Sequence, residues 1–208
     1  MALVKYNNNS ISAITAASSL PTGAMTLIKE QTASSSATIS FVHGTSDVVL
    51  DSTYPIYVFK FINLHPSASA YLTFQSSIDT GSNYNVSCTS TSFQAAHDEA
   101  DSATDLSYNT SRDAANSTSF IPLAVDGGYT GNDDSLSGHL FLFNPSSTTF
   151  VKHFLYNDSH TGGASTYAFS PFIAGYFNNT NDVDAIQFKM SSGNIDAGTF
   201  KLYGIKDS

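Results

Sequence analysis

The sequence predicts an all-β fold: an antiparallel two-sheet sandwich, jelly-roll-like, with about ten strands and a short N-terminal arm. Two observations support this prediction. The apolar residues fall in short runs bounded by Gly, Pro, Asn, Asp or Ser, as strands do, and no helical crossovers separate the runs. The 208 residues are 41% hydrophobic and include 15 Phe and 11 Tyr, which is enough apolar surface for one sizeable core.

The first half of the chain contains five predicted strands, and we expect the first two to pair across residues 32–36. The five are residues 25–31, 37–42, 56–64, 71–75 and 84–93. Residues 94–116 then break the rhythm, because helix-forming and capping residues occur there without an apolar face. We expect an excursion with one or two short helical turns.

Strands resume in the second half of the chain. They are residues 119–125, 136–143, 150–156, 169–177, 185–190 and 199–205. Within 185–190, Ile186, Phe188 and Met190 alternate with polar residues, which predicts one buried and one solvent-facing side. Pro122 and Pro171 lie inside runs and indicate edges or bulges, because proline cannot donate to a sheet ladder.

Several segments occur in an order that resembles another group of proteins. They are residues 27–41, 50–54, 61–66, 135–147 and 183–205. In that order they resemble a widespread group of uncharacterised bacteriophage virion proteins, especially from phages of marine bacteria. The closing run is the most telling: a strand, a Ser-Gly-Asn turn at 192–194, a second turn at Ala197 and Gly198, and a final strand that would tie the chain end into the sheet. The resemblance implies a fibre or knob domain or a capsid-surface protein, and it supplies no catalytic residues.

Residues 1–24 are predicted to be an N-terminal anchoring arm, and residues 25–208 the jelly-roll-like domain. The arm is rich in Asn, Ser and Ala and ends at a Pro-Thr-Gly break. Its apolar residues are too sparse for a core and are expected to fill grooves on a partner. These partner-anchoring residues are Leu3, Val4, Ile11, Ile14 and Leu20. A flexible tail is the alternative.

Charge and cysteine content exclude several functions. The 8 Lys and Arg against 17 Asp and Glu give a net charge of −9, which disfavours binding to nucleic acid and to anionic membranes. Cys88 is the one cysteine, so a multi-thiolate metal site is excluded, and its alternation with Val86 and Ser90 predicts a buried strand position. Because residues 1–25 lack a signal-peptide pattern, we expect assembly in a bacterial cytoplasm and residence in the virion.

No motif in the sequence predicts a catalytic, cofactor or metal residue. His139 and His153 lie in predicted strands that could pair, yet ordinary sheet positions explain them better than a metal site does. The acidic loop 126–134 lacks the spacing of a calcium loop. The carboxylates Asp98, Glu99 and Asp101 lie in a polar stretch with no neighbouring aromatic platform for a sugar. We therefore expect a protein without enzymatic activity.

Two Asn/Ser/Gly-rich loops, 126–134 and 157–167, are candidate receptor or ligand loops. Tyr, Asn and Ser side chains make adaptable polar contacts at low entropic cost. The candidate residues are Tyr129, Asn132, Asp133, Asp134, Asn157, His160 and Tyr167. A host surface glycan is a possible ligand, and ordinary loop residues are the alternative.

The function expected from these observations is that of a virion structural protein displayed on the particle surface, as capsid decoration or a head-associated fibre. Its expected partners are other virion proteins and further copies of itself, with a trimer if it is a fibre. The alternatives are a tail-fibre or receptor-binding module, and a domain that cleaves or binds glycans.

Overall fold

All regular structure in the described part of the chain is β-strand. A computed structural model describes residues 25–123, 130–162 and 166–206. The strands are β1 (Met25–Ser36), β2 (Ile39–Val42), β3 (Ile56–Pro66), β4 (Leu72–Ser77), β5 (Cys88–Asp98), β6 (Thr104–Tyr108), β7 (Ala114–Ser117), β8 (Ile121–Pro122), β9 (Leu136–Phe143), β10 (Lys152–Gly162), β11 (Tyr167–Phe177), β12 (Ala185–Met190) and β13 (Ile195–Ile205). In these residues we find no helix that is long and apolar enough to cross a membrane.

The thirteen strands form two antiparallel sheets. The larger has nine strands in the order β1-β13-β3-β9-β10-β11-β5-β6, with β7 also paired to β5, and the smaller has four in the order β2-β12-β4-β8. Eight strands, β1-β13-β3-β9 in one sheet and β2-β12-β4-β8 in the other, alternate between early and late parts of the chain as the two Greek keys of a jelly roll do. The predicted all-β jelly-roll-like sandwich is confirmed.

The remaining five strands are two insertions in the jelly roll. Strands β5 to β7 lie between β4 and β8 in the chain, and the hairpin β10–β11 lies between β9 and β12. Both insertions add to the same edge of the larger sheet, next to β9. As a result, the larger sheet extends well beyond the smaller one in strand number.

The core lies between the sheets and is dominated by phenylalanine. The ring of Phe188 on β12 lies with its centroid 5.1 Å from that of Phe61, 5.4 Å from Phe59 and 5.5 Å from Phe200. All four side chains are at most 2% exposed. The edge-to-face packing of Phe188 on Phe59 and Phe61 adds to the stabilisation that burial alone gives.

Two sequence predictions about the end of the chain are confirmed, and one is corrected. Ile186, Phe188 and Met190 are buried on one face of β12, and β13 is inserted between β1 and β3. The predicted turn at Ala197 and Gly198 is instead an irregularity inside β13, where the register to β3 shifts. Gly198 has a φ of 117°, and a Cβ there would lie 2.7 Å from the Asn63 carbonyl oxygen, so glycine serves a bulge rather than a turn.

The expected pairing of the first two strands is wrong. Strand β1 continues through residues 32–36 and pairs with β13, while β2 pairs with β12 in the other sheet. Residues 37–38 carry the chain from one sheet to the other. The Ser-rich stretch that reads as a turn is therefore the end of a long edge strand.

The expected helical turns within 94–116 are also wrong, because this stretch contains the end of β5, all of β6 and most of β7. Strand β5 continues to Asp98 because it pairs with β11 on one side and β6 on the other. The residues with capping preferences form a hairpin turn instead: the Asp98 carboxylate accepts hydrogen bonds from the backbone N–H groups of Ser102 and Ala103, both at 2.8 Å.

The two prolines inside strands occupy different positions. Pro122 lies in β8, at the edge of the smaller sheet, as predicted. Pro171 lies in β11, which has neighbours on both sides and no register shift at this residue, so the expectation of an edge or a bulge is wrong here. The pairing of β10 with β11 is interrupted between Asn157 and His160, and the Asn157 side-chain amide donates to the Pro171 carbonyl at 2.9 Å, so a side chain replaces the missing ladder bond.

Candidate functional site

The outer face of the larger sheet, opposite the smaller sheet, carries large apolar side chains that remain exposed. Phe93, Leu155 and Phe172 are 43%, 49% and 43% exposed, although they lie on the well-paired strands β5, β10 and β11. Tyr108 at the edge strand β6 is 51% exposed. A contiguous exposed apolar surface of this kind is typical of an interaction site.

The strand register arranges this surface in two rows that cross the sheet. We call the two rows together the outer-face patch. One row is Lys60, His139, Asn157, Phe172, Phe93 and Tyr108, and the other is Phe141, Leu155, Ala174 and Thr91. Because directly paired residues of neighbouring strands project to the same side, each row forms a continuous band.

The aromatic rings of the patch pack against one another rather than standing apart. The rings of Phe93 and Phe172 are stacked, with centroids 5.2 Å apart and planes at 9°. The ring of His139 meets Phe141 edge-on at 5.0 Å, and Phe141 is stacked with Phe143 at 6.3 Å. This packing fixes the shape of the surface before any partner binds.

A shallow groove of about 310 Å³ lies within the patch, and its polar groups are few. The side-chain amide of Asn157 donates to Ser170 Oγ at 3.1 Å and to the Pro171 carbonyl at 2.9 Å, so it bonds to the sheet itself. Burial, together with the nearby positive charge of Lys60, lowers the pKa of His139. The imidazole is therefore neutral at pH 7, and the groove suits an apolar occupant.

The longer row has a positive charge at one end and a carboxylate bonded to the residue at its other end. Lys60 is at one end, with its Nζ 5.3 Å from the centroid of the Tyr203 ring. At the other end, the Tyr108 hydroxyl donates to the Asp113 carboxylate at 2.8 Å. The ion pairs seen within the described residues include neither Lys60 nor Asp113, whereas neighbouring Lys201 pairs with Glu30 at 3.0 Å.

A second cluster of titratable groups lies on the inner face of β10. Nδ1 of His160 and Oδ1 of Asp158 are 2.6 Å apart, and the Tyr156 hydroxyl donates to the other carboxylate oxygen. All three side chains are at most 3% exposed, and burial raises the pKa of Asp158. Since solvent cannot reach the cluster, it can link neighbouring positions of the strand but cannot bind a large ligand.

The structure corrects the second candidate receptor loop. Residues 157–162 belong to β10 and Tyr167 begins β11, so the three candidate residues lie in strands and not in a loop. Asn157 lies in the groove of the outer-face patch, His160 is buried, and Tyr167 stacks on Phe169 with centroids 5.7 Å apart. The strand went unrecognised because Asp158 and His160 are polar at inward-facing positions.

The first candidate loop is only partly described. Asn132 and Asp133 are exposed, whereas Asp134 is 3% exposed. Its carboxylate accepts from the Gly131 N–H at 3.1 Å and from Thr161 Oγ1 at 3.0 Å, which fastens the loop to β10. Tyr129 lies outside the described residues.

The predicted arm also lies outside the described residues. This applies to Leu3, Val4, Ile11, Ile14 and Leu20. The anchoring role of residues 1–24 stays a prediction.

The residues considered for metal binding or hydrolysis do not converge on a site. His139 pairs with Asn157 across the strands, and His153 with Tyr176, so the two histidines are not opposite each other. Across residues 25–123, 130–162 and 166–206, no group of three His, Cys, Asp or Glu side chains is placed to hold a metal ion. The Asp98 carboxylate is occupied by its hairpin turn, and Glu99 and Asp101 are exposed.

Sequence reasoning assigned most of the patch residues to strands, but it placed Tyr108 in the excursion and Asn157 in a loop, and it did not identify the set as a surface. A signal was present in β9, where Leu140, Phe141, Leu142 and Phe143 are consecutive and apolar. Such a run places apolar side chains on both faces of a strand. No protein-family model matches the chain, and neither a curated protein nor a solved structure shows significant similarity to it.

Proposed function

We propose that this protein is a non-enzymatic structural component of a bacteriophage particle, displayed on the particle surface and anchored by residues 1–24. The observation on which the proposal depends is the outer-face patch, an ordered and exposed apolar surface built on a rigid sheet. A surface of this kind acts by docking rather than by chemistry.

The architecture supports the proposal without determining it. Jelly rolls occur in viral capsid proteins and in lectin domains, and a fold by itself does not fix a function. The resemblance of residues 25–208 to virion proteins adds to this support. The two long insertions that widen the larger sheet enlarge its outer face, as expected of a part that packs against neighbours.

The distribution of titratable groups supports a role without catalysis. The tight pair formed by Asp158 and His160 is enclosed by the sheet. The groove of the patch is lined mainly by aromatic and aliphatic side chains. General acid or base catalysis needs a titratable group within reach of a bound substrate. His139 lines the groove, but among the described residues no carboxylate or second histidine lines it beside His139.

Particle composition tests the proposal. Quantitative mass spectrometry of purified particles of the phage that encodes the chain should detect the protein. Hundreds of copies indicate decoration, and a few to a few tens indicate a tail or spike position. Absence from the particles would contradict the proposal, as would cleavage of host polysaccharide by the purified protein.

The anchoring role of the arm requires its own experiment. A chain lacking residues 2–20 should melt at nearly the same temperature as the full chain, because the Pro-Thr-Gly break at residues 21–23 separates the arm from the first predicted strand. It should nevertheless be missing from particles assembled in its presence. A truncated chain that unfolds, or that is incorporated normally, would show that attachment resides elsewhere.

A further inference from the structure

The outer-face patch has features that identify its partner. We infer that it binds the same patch on a second copy of this chain, in a face-to-face dimer with two-fold symmetry. The inference rests on the proposed function in treating the patch as a docking surface, and it names the occupant.

The charges at the two ends of the patch would complement those of a second copy. The longer row has Lys60 on β3 at one end, and Tyr108 on β6, bonded to Asp113, at the other. Its centre lies between Asn157 and Phe172, which pair across β10 and β11. A two-fold axis that lies above this centre and parallel to the strands places the row of the second copy over the row of the first in reverse order. Lys60 of each copy then faces Tyr108 and Asp113 of the other.

The side chains between the ends of the rows also suit a dimer. Both rows are free of charged side chains between their ends, so stacking two patches would bury apolar groups without burying an unpaired charge. Phe93, Leu155 and Phe172 would lose the exposure they have in the single chain. Two sheets that pack face to face keep their strands roughly aligned, which is what an axis along the strands produces.

The area of the patch can be compared with that of protein interfaces. Five strand spacings of about 4.8 Å separate the ends of the longer row, which gives a width of about 24 Å. Even if it extends about 20 Å along the strands, a surface this wide covers about 480 Å² per copy, which is the size of a weak, transient interface rather than the roughly 800 Å² per partner of a standard one.

A saccharide fits the patch less well. Phe93 and Phe172 cover one another's faces at 5.2 Å, and the Asn157 amide is bonded to Ser170 and Pro171. A sugar needs open ring faces and free hydrogen-bonding groups. The patch offers few of either.

A charge-swap series on the full chain tests the inference by sedimentation equilibrium. The wild type should reach twice the chain mass of 22.1 kDa. Lys60→Glu and Asp113→Lys should each raise the dimer dissociation constant about tenfold or more. The double variant Lys60→Glu/Asp113→Lys should restore it to within about threefold of wild type, because a two-fold axis brings these two positions together.

An apolar substitution provides a second test with a matched control. Leu155→Asp places a charge at the centre of the patch and should abolish the dimer. Phe150→Asp changes a 71% exposed apolar residue outside the patch and should leave the dimer intact. Circular dichroism and thermal melting establish that each variant is folded. A salt titration of the wild type requires no variant, and the dimer should weaken as salt rises.

Several results would overturn the inference. They are a monomeric or trimeric wild type, a double variant no better than the single ones, and a dimer that survives Leu155→Asp. A full chain that becomes dimeric only after residues 2–20 are removed would show instead that the arm covers the patch. A monomer that is still incorporated into particles would refute the dimer and leave the proposed function standing. A dimer that is absent from particles would support the dimer and contradict the proposed function.

Discussion

The two faces of the larger sheet carry the same kinds of side chain in opposite environments. On the inner face, Phe59 and Phe61 are 1% and 2% exposed and contact the smaller sheet through Phe188. On the outer face, Phe93 and Phe172 are stacked on each other, yet each remains 43% exposed. Aromatic content therefore indicates how much apolar surface the protein has, and only the arrangement of the sheets shows how much is used within one chain.

The inner face itself changes character along the sheet. On β3, β9 and β13, its buried residues are aromatic and aliphatic. On the inserted strands the inward positions include Ser90, Ser92, Asp98, Asp158 and His160, all buried. The core of the sandwich is stabilised mainly by burial of apolar surface, whereas the inserted strands depend more on hydrogen bonds between polar groups.

The largest effect on stability is expected from the inner face. Phe188→Ala should lower the free energy of unfolding by about 3–5 kcal/mol, because it removes a fully buried ring and leaves a cavity among Phe59, Phe61 and Phe200. Phe172→Ala on the outer face should cost less than about 1 kcal/mol in the single chain. Urea unfolding at a protein concentration that keeps the chain monomeric measures both. Equal losses would show that the two faces do not differ as described.

The next largest effect is expected from the polar part of the inner face. Asp158→Ala should cost about 2–4 kcal/mol, because it removes the acceptor of the buried Tyr156 hydroxyl and the partner of His160 Nδ1. Asp158→Asn keeps the size and one acceptor oxygen and should lose less.

Asp105→Ala is the matched control for this experiment. The Asp105 carboxylate also accepts side-chain hydrogen bonds, from Ser107 and Gln94, but it is exposed. Its removal should change the melting temperature little. If Asp158→Ala proved as mild as Asp105→Ala, the buried cluster would contribute nothing to holding β10 in the sheet.

The fold class was predictable because it depends on local patterns. Short apolar runs and turn residues identified most strands, and the alternation in β12 identified its buried face. Strand partners were not predictable in this way. Residues 32–36 have the composition of a turn, yet they form the end of β1, because pairing with β13 outweighs local preference.

The inserted strands escaped prediction for a related reason. Residues 94–98 and 157–160 are poor in large apolar side chains, since their inward positions contribute to polar contacts or lie beyond the aromatic core. Their strand conformation is imposed by neighbours on both sides. The outer-face patch depends in turn on these strands, because Phe93 and Phe172 become neighbours only when β5 pairs with β11.

A thiol reagent can distinguish the two faces of strand β5, and the substitutions that this requires are expected to change stability least. Cys88 is fully buried on the inner face of β5, and burial raises the pKa of its thiol to about 12 from the ordinary value of 9.0. Folding thus favours the protonated thiol: the contribution of the thiol to stability is complete below pH 9 and is lost as pH rises towards 12.

At pH 8 Cys88 should react with a thiol reagent only upon unfolding. In the variant Cys88→Ser/Thr91→Cys, the cysteine moves three residues along the same strand to an exposed outer position and should react within seconds to minutes without loss of structure. Protection of this new cysteine at high protein concentration would support the dimer, whereas rapid labelling of Cys88 in the folded protein would show that the inner face is open to solvent.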